Sequence, residues 1–205
     1  MTKCAILGAS GHGKVIADIA ELNGFKEIHF FDDRWPLLNK VEHWQISGDT
    51  QALLSQVTSF DLTIVAIGNN SIRLAKHHQL LAAGALSLPL VHPQAVVSRY
   101  AQLGQGCVVM AGAIINPFCR IGEACIINTS ASIDHDCQLE DGVHISPGAH
   151  LAGAVRVGQR SWIGIGAQVK QLLSIGIDSI VGAGATVVNN VLDKQVVVGT
   201  PAKSH

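Results

Sequence analysis

Residues 103–139 read LGQGCVVMAGAIINPFCRIGEACIINTSASIDHDCQL, and a six-residue period runs through them without a change of register. Counting in steps of six from Val91 to Val181 places Leu, Ile or Val at every position. This aliphatic column consists of Val91, Val97, Leu103, Val109, Ile115, Ile121, Ile127, Ile133, Leu139, Ile145, Leu151, Val157, Ile163, Val169, Ile175 and Val181. The period is not the 3.6 residues of an α-helix, and Gly and Asn recur throughout, so the region is not helical.

A second column, four residues after each aliphatic position, holds mostly small side chains such as Ala113 and Cys119. The residue directly after each aliphatic position favours turn formers, for example Gly104 and Asn116. One bulky and one small inward residue in each hexad build a flat strand followed by a tight corner. Three hexads close a triangular coil of about 18 residues, and coils stack at roughly 4.8 Å. The pattern predicts a left-handed parallel β-helix of hexapeptide repeats over residues 91–205.

The cysteines fit the same pattern. Cys107, Cys119, Cys125 and Cys137 all fall in the small inward column, where a cysteine acts as a small buried hydrophobe. Together with Cys4 they form no CxxC pair, so we expect reduced thiols that serve neither as nucleophiles nor as metal ligands.

Composition limits the possible partners. The chain has 14 Lys and Arg against 15 Asp and Glu, and no basic stripe or amphipathic segment predicts binding to nucleic acid or to a membrane. Charged residues make up 14% of the chain, compared with roughly 25% in an ordinary domain, which favours burial against other copies of the chain. The first residues, MTKCAILGAS, resemble a first β-strand and lack a secretory cleavage pattern, so we expect a cytoplasmic protein.

The first ninety residues alternate between strand and helix patterns, which predicts a parallel sheet covered by helices. Strands are expected at Lys3–Leu7, Glu27–Phe31, Leu62–Ile67 and Leu86–Val91, and helices at Lys14–Leu22, Asp49–Val57 and Ile72–Ala83. The chain is therefore expected to consist of an α/β domain over residues 1–90, which is half of a Rossmann fold, and the β-helix over residues 91–205.

Three polar clusters follow the strands of this α/β domain, at the end of the sheet where ligands bind. They are Ser10, Gly11 and His12 after the first strand, Asp32 and Asp33 after the second, and Gly68 and Asn69 after the third. Glycines let backbone N–H groups approach a phosphate at a helix start, and an acidic pair about twenty residues further on suits ribose hydroxyls or a base edge. The half-domain suits a nucleotide with one sugar attached. The alternative is a tight turn beside a solvated acidic loop.

The most polar stretch of the repeat region is Asp134-His135-Asp136. Because Ile133 and Cys137 point inward, these three side chains lie outside or at a corner. A histidine beside carboxylates is suited to act as a general base, since a neighbouring negative charge raises its pKa. Gly153 lies 18 residues further on, one coil away, where its backbone N–H is open to a carbonyl oxygen beside the base.

Two other interpretations of His135 stay open. The histidine could simply be a solvated surface residue. It could also bind a metal ion with His144 and His150, as in β-helical carbonic anhydrases, although their spacings of nine and six residues do not stack any two of them in one column.

Five motifs together resemble the sugar O- and N-acetyltransferases of the sialic-acid and bacillosamine pathways. They are GASGHGK at 8–14, FDD at 31–33, AIGNN at 66–70, INTSASIDHDC at 127–137 and VGTPAK at 198–203. The resemblance covers essentially the whole chain and implies a homotrimer with acetyl-CoA in a groove between adjacent β-helices.

The resemblance also implies roles for individual residues. His135 would be the catalytic histidine and Asp136 the acid that strengthens it, although relatives usually have Glu at the second position. Nucleotide-sugar contacts would come from Ser10, Gly11, His12, Asp32, Asp33, Gly68 and Asn69. Acetyl-CoA contacts would come from His144, Ile165 and Ala183, the last of which is glycine in relatives. Apart from the resemblance, the column spacing makes the Gly153 N–H group the candidate donor to the thioester oxyanion.

The predicted reaction is direct acetyl transfer from acetyl-CoA to the 4-amino group of a UDP-4-amino-4,6-dideoxy-N-acetylhexosamine, with no metal and no acyl-enzyme. One alternative is an O-acetyltransferase of the same family that acts on a sialic acid or its precursor. The others are a β-helical metal enzyme and a nucleotide-binding scaffold without catalytic activity.

Overall fold

A computed structural model describes residues 2–205 of the chain. The chain divides into two compact units, the first ending at Pro93 and the second spanning Gln94–His205. Within residues 2–205, no helix has both the length and the apolar character needed to cross a membrane.

The first unit is built on a three-stranded parallel sheet. Its elements are β1 (Lys3–Leu7), α1 (Gly11–Leu22), β2 (Glu27–Phe31), β3 (Lys40–Val41), β4 (Trp44–Gln45), α2 (Thr50–Leu54), a 3₁₀ turn (Val57–Ser59), β5 (Leu62–Val65), α3 (Asn70–Ala82) and β6 (Leu90–Val91). The strand order is β2-β1-β5, and both pairings are parallel. The predicted alternation of strands and helices is confirmed through the third strand. The fourth predicted strand, Leu86–Val91, is wrong, because only Leu90–Val91 is a strand and it is not part of this sheet.

Several element boundaries differ from the prediction. Helix α1 begins at Gly11, because Ser10 takes the extended conformation of an N-cap residue. The helix predicted over Asp49–Val57 is only five residues long and is followed by the 3₁₀ turn. The antiparallel pair β3–β4 was not predicted, because strands of two residues leave no periodic signal.

Phe30 and Phe31, at the end of β2, are fully buried and anchor the core of this unit. Phe31 packs with Leu7 of β1 and Leu53 of α2. Fully burying each such side chain contributes about 1.5–3 kcal/mol. These buried side chains therefore hold in place the strand ends that the polar clusters follow.

The second unit is a left-handed parallel β-solenoid of about six turns. Its strands are β7 (Val96–Val97), β8 (Gln102–Leu103), β9 (Val108–Val109), β10 (Ile114–Ile115), β11 (Arg120–Ile121), β12 (Ile126–Ile127), β13 (Ser132–Ile133), β14 (Gln138–Leu139), β15 (His144–Ile145), β16 (His150–Leu151), β17 (Arg156–Val157), β18 (Trp162–Ile163), β19 (Gln168–Val169), β20 (Ser174–Ile175), β21 (Ile180–Val181), β22 (Thr186–Val187), β23 (Val196–Val198) and β24 (Lys203–Ser204). The predicted fold class is confirmed.

The strands form three flat faces. The first face holds β7, β10, β13, β16, β19 and β22, the second β8, β11, β14, β17 and β20, and the third β9, β12, β15, β18, β21 and β23. From β7 to β22, neighbouring strands pair in parallel with partners 18 residues apart, as Ile114 does with Ser132. Strand β23 pairs with β21 at a spacing of 16 residues, as Val196 does with Ile180. Each residue position therefore recurs one coil higher at a fixed place on the perimeter.

The aliphatic column fills the solenoid interior, and every member from Val109 to Val181 is buried. The inward cysteines are also buried and unpaired to one another, as predicted. Their thiols donate to backbone carbonyls of the next coil, as Cys119 Sγ does to the Asp134 oxygen at 3.0 Å. Burial is the largest cause that raises the pKa of Cys107, so this thiol stays protonated.

The C-terminal edge of the third face ends differently from the rest. Strand β23 pairs in parallel with β21, but β24 turns back and pairs antiparallel with β23. The Ala202 N–H also donates to the Thr186 carbonyl at 2.8 Å, so residues 196–205 cover the last coil on more than one face.

Candidate functional site

The segment Asp134-His135-Asp136 forms the corner between the first and second faces, directly after β13. Asp136 has φ of 61°, the left-handed conformation that turns the chain onto the next face. The Asp134 carboxylate accepts the His135 backbone N–H at 2.8 Å and the Asn116 amide at 3.0 Å. These two bonds fix the backbone from which His135 projects.

The Asp136 carboxylate reaches the His135 ring. Asp136 Oδ2 lies 2.8 Å from His135 Nδ1, so the pair forms despite the short aspartate side chain. Both side chains are more than half exposed, at 59% and 58%. The hydrogen bond to Asp136, and then the charge of Asp134, raises the pKa of His135. With its Nδ1–H held by Asp136, the neutral ring presents Nε2 as the proton acceptor.

Gly153 lies directly beneath this ring, one coil further along. A Cβ atom at Gly153 would be 2.7 Å from both Cε1 and Nε2 of His135, closer than real Cβ contacts allow. Glycine is therefore required here by the ring and not by the backbone, whose φ lies outside the left-handed region. The structure thus brings His135, Asp136 and Gly153 together, and their roles stay a prediction.

A groove on the third face brings together His144, Ile165 and Ala183. Its cavity volume is about 460 Å³, and its lining includes Pro147 and Trp162. Such a long, mainly apolar groove suits a chain of methylene and amide groups.

His144 is held by two residues that sequence reasoning missed. The ring of Trp162 stacks on His144 with centroids 5.1 Å apart, and its Nε1–H donates to Ser146 Oγ at 2.6 Å. The Thr129 N–H donates to Asn128 Oδ1, which orients the amide so that Nδ2–H donates to His144 Nε2 at 3.2 Å. Trp162 could have been found, since it opens the strand stacked on His144 at a spacing of 18.

His135 and His144 lie on different sides of the solenoid. His135 is at the corner that joins the first two faces, whereas His144 begins β15 on the third face, half a coil later. His150 lies on the first face and bonds Ser132 Oγ at 2.7 Å. Within residues 2–205, no group of three or more His, Cys, Asp or Glu side chains is placed to hold a metal ion.

In the first unit, the polar clusters lie where α1 and α3 begin. Ser10 is the N-cap of α1, and Gly11 and His12 form its first turn. Asn69 follows Gly68 as the N-cap of α3, and its side chain accepts the Ile72 N–H at 3.0 Å. Burial, and then the charge of Arg73, lowers the pKa of His12 to about 4. This histidine is therefore neutral at pH 7, beside backbone N–H groups that suit an anion.

The two acidic residues are not free carboxylates. Asp32 accepts the Ala9 N–H at 2.8 Å and holds the Arg34 guanidinium through both oxygens, at 2.7 and 2.8 Å. It therefore ties the loop after β1 to the loop after β2. The expected contact of Asp32 with ribose or base stays a prediction, and Arg34 is a cation at this end of the sheet that sequence reasoning missed.

Asp33 is paired as well. It accepts the Thr50 N–H at 2.9 Å and the Lys76 ammonium at 2.9 Å. Burial acts to raise the pKa of Asp33, but these hydrogen bonds outweigh it and the pKa lies below its usual value. Each acid of the pair thus brings a basic side chain to the edge of the sheet where the glycine loop lies.

Asp32→Asn is expected to loosen both loops and lower the unfolding temperature at pH 7, because the amide no longer pairs with the Arg34 guanidinium as an ion. The hydrogen bond from Arg34 is the main cause that lowers the pKa of Asp32 to about 2. Because its usual pKa is about 3.9, its stabilisation is present above about pH 4 and lost as the pH falls towards 2. Thermal unfolding of both proteins at pH 7 and pH 3 measures this. If the unfolding temperature of the variant kept the wild-type pH dependence, Asp32 would not stabilise the two loops as described.

Comparison with known proteins adds three findings. The family model "PglD N-terminal domain" matches residues 3–80. UDP-N-acetylbacillosamine N-acetyltransferase of Bacillus subtilis (strain 168) is 39% identical over 114 residues, which are 54% of this chain and 52% of that protein. The chain thus matches about half the length of this curated relative.

Two solved structures match over nearly their whole length. The acetyltransferase domain of PglB from Neisseria gonorrhoeae FA1090, in complex with acetyl coenzyme A, is 42% identical with a TM-score of 0.95, over 99% of this chain and 98% of that one. PerB from Caulobacter crescentus, in complex with CoA and GDP-perosamine, is 36% identical with a TM-score of 0.94, over 100% and 98%. With such identity over such coverage, this chain belongs to the family of hexapeptide-repeat sugar acetyltransferases.

Proposed function

We propose that the protein transfers the acetyl group of acetyl-CoA to the 4-amino group of a UDP-4-amino-4,6-dideoxy-N-acetylhexosamine, in the cytoplasm, during bacterial glycan biosynthesis. The observation that carries this proposal is the His135–Asp136 pair, whose ring lies over the backbone of Gly153. The relatives support an amino-sugar acceptor, since one is named for UDP-N-acetylbacillosamine and another was crystallised with GDP-perosamine.

The reaction follows from these groups. The sugar amine attacks the thioester carbonyl while His135 Nε2 accepts a proton from the amine nitrogen, and Asp136 stabilises the imidazolium. The Gly153 N–H would donate to the oxyanion that develops on the carbonyl. When the C–S bond breaks, the imidazolium returns its proton to the leaving CoA sulfur. The products are an amide and a thiol, and no cysteine is acylated.

Acetyl-CoA would occupy the groove on the third face, which His144, Ile165 and Ala183 line. Within one copy this groove and His135 lie on different sides of the coil, so one chain does not complete the site. We propose a homotrimer with parallel solenoids, in which the corner of one copy faces the groove of the next. The low charged fraction of 14% fits a chain with large contact surfaces.

A thiol-release assay tests the proposal. With acetyl-CoA as donor, thiol should appear only when a UDP-4-amino-4,6-dideoxy-N-acetylhexosamine is added, and free sialic acid and a GDP-linked 4-amino sugar serve as competing acceptors. Turnover of sialic acid would instead favour the O-acetyltransferase. Turnover of the GDP-linked sugar would show that the acceptor carries GDP and not UDP. A protein that binds the sugar but releases no thiol with any acceptor would be a scaffold.

The rate is expected to rise with pH through one ionisation above the ordinary histidine range, because Asp136 raises the pKa of His135. Asp136→Asn should move this ionisation to lower pH and lower the maximal rate, because the amide no longer stabilises the imidazolium. Prolonged dialysis against EDTA should leave the rate unchanged. Loss of activity in EDTA that added zinc restores would overturn the base mechanism in favour of a metal enzyme.

A further inference from the structure

Three pairs of residues stack along the corner that carries His135. Counting back by coils of 18 from His135 and Asp136 leads to Pro117 and Phe118, and then to Arg99 and Tyr100. The paired strands below the corner keep this register, and the Asp136 N–H donates to the Pro117 carbonyl at 3.1 Å. Phe118 and Tyr100 therefore lie about one and two strand spacings from Asp136, or roughly 5 and 10 Å.

The backbone conformation of Phe118 is unfavourable for a bulky side chain. Its φ is 63°, in the left-handed region where a bulky residue is uncommon. It is also 62% exposed, so the ring gains little from burial. At the same corner, the next two coils carry Asp136 and Ala154, which are smaller. Local backbone preference therefore does not account for a phenylalanine at this place, and the contact that its ring makes is with Tyr100.

The aromatic rings form an ordered surface with a cation at its end. Phe118 stacks on Tyr100 with ring centroids 5.4 Å apart and an interplanar angle of 24°. The Arg99 guanidinium lies 4.9 Å from the Tyr100 ring centroid, and Nη2 donates to the Tyr100 hydroxyl at 2.9 Å. An arginine has five N–H donors, so this bond leaves others for an anion.

We propose that Phe118 and Tyr100 bind the ring of the acceptor sugar and that Arg99 binds its diphosphate. This inference rests on the proposed function and adds a sugar-binding surface on the solenoid itself. If the 4-amino group lies at His135, the hexopyranose ring extends from there along the corner column, over Phe118 and Tyr100. The diphosphate on the other side of the ring then lies near Arg99. The order amine, apolar ring face, anion matches the order His135, Phe118 with Tyr100, Arg99.

The donor groove fixes the direction in which the acceptor extends. It runs from the level of His144, half a coil beyond His135, to Ala183, more than two coils beyond it. With parallel copies at equal height, acetyl-CoA fills the levels C-terminal to His135. The acceptor is left with the N-terminal side, where Phe118 and Tyr100 lie.

This surface also predicts a preference among acceptors. The aromatic rings favour C–H groups, so a 6-methyl group on the sugar is bound better than a 6-hydroxymethyl group. A surface of this kind discriminates modestly, on the order of tenfold, because a hydroxyl group turned towards water is not strongly rejected.

Phe118→Asn is the main test, because asparagine suits the left-handed conformation and the variant should fold at least as well as wild type. We expect KM for UDP-4-amino-4,6-dideoxy-N-acetylglucosamine to rise on the order of tenfold, while KM for acetyl-CoA and kcat at saturation stay near wild type. The preference for this acceptor over its 6-hydroxylated analogue should fall towards one. Leu172→Ala is the matched control, since Leu172 is in the same corner column with φ of 63° and 77% exposure, on the C-terminal side of His135.

Arg99→Gln should raise the same KM and remove most of its dependence on salt, since charge on the diphosphate is then unmatched. The oligomeric state of both variants is measured by light scattering. Unchanged acceptor kinetics would mean that this surface does not bind the acceptor, and a loss of assembly as the main effect would mean that it packs against another copy. Either result would show that the proposal is wrong. A wild-type protein without thiol release would instead refute the proposed function, which separates the two failures.

Discussion

Replacing His135 with alanine is expected to lower kcat by roughly 10²–10⁴, the usual effect of removing a general base. The ring is 59% exposed and packs only over Gly153, so its loss leaves no cavity in the solenoid interior. Acetyl-CoA affinity, unfolding temperature and oligomeric state should therefore stay near wild type. Initial rates, isothermal titration with CoA and light scattering measure these quantities.

His150→Ala provides a matched comparison. His150 is another exposed histidine of the solenoid, and it bonds Ser132 instead of a carboxylate. Its removal should change kcat little. If His135→Ala also dissolves the assembly, or if both variants lose activity equally, the assignment of His135 as the base is wrong.

Gly153→Ala is expected to lower kcat by roughly 10²-fold, because its Cβ would lie 2.7 Å from two atoms of the His135 ring and must displace it. The backbone at Gly153 accepts alanine, since its φ is outside the left-handed region. Unfolding temperature should stay equal or rise slightly, as for other compatible Gly→Ala changes. The variant thus separates displacement of the base from loss of fold.

A double variant tests whether Gly153 acts through the ring. In the His135→Ala background there is no ring to displace, so adding Gly153→Ala should cost little further activity. Independent, multiplying losses would show that the Cβ at position 153 acts on the reaction by another route, such as a clash with the acetyl group. Single-turnover rates of the four proteins provide the cycle.

The solenoid could be predicted almost residue by residue, because its signal repeats. The second residue of each strand from β6 to β21 is the aliphatic position of the six-residue column. Each hexad repeats the same inward pair, so one ambiguous hexad is corrected by its neighbours. The hairpin β3–β4 has no such repeating signal. Arg34 lies in an irregular turn, and its hydrogen-bond partner, Asp32, is only two residues away.

The site was predictable only where it follows the column arithmetic. The spacing of 18 places Gly153 beside His135, and the same spacing pairs His144 with Trp162. The six-residue period does not determine side-chain torsion angles. The contact between Asp136 and His135 could therefore be seen only in the structure. The orientation of the Asn128 amide beside His144 depends on one backbone N–H group in the same way.

The reversal of the chain at β24 has a consequence for growth of the molecule along its axis. An open end of stacked parallel strands is a template onto which a second solenoid could add, as strands do in a fibril. Here the third face ends instead in a two-residue antiparallel strand that begins with Lys203, a charged residue on a short edge. The first strand of a second copy could not pair with β24 in parallel, and it could not continue the 18-residue register of the coils. Residues 196–205 thus make this edge of the solenoid a poor template for end-on addition of another copy.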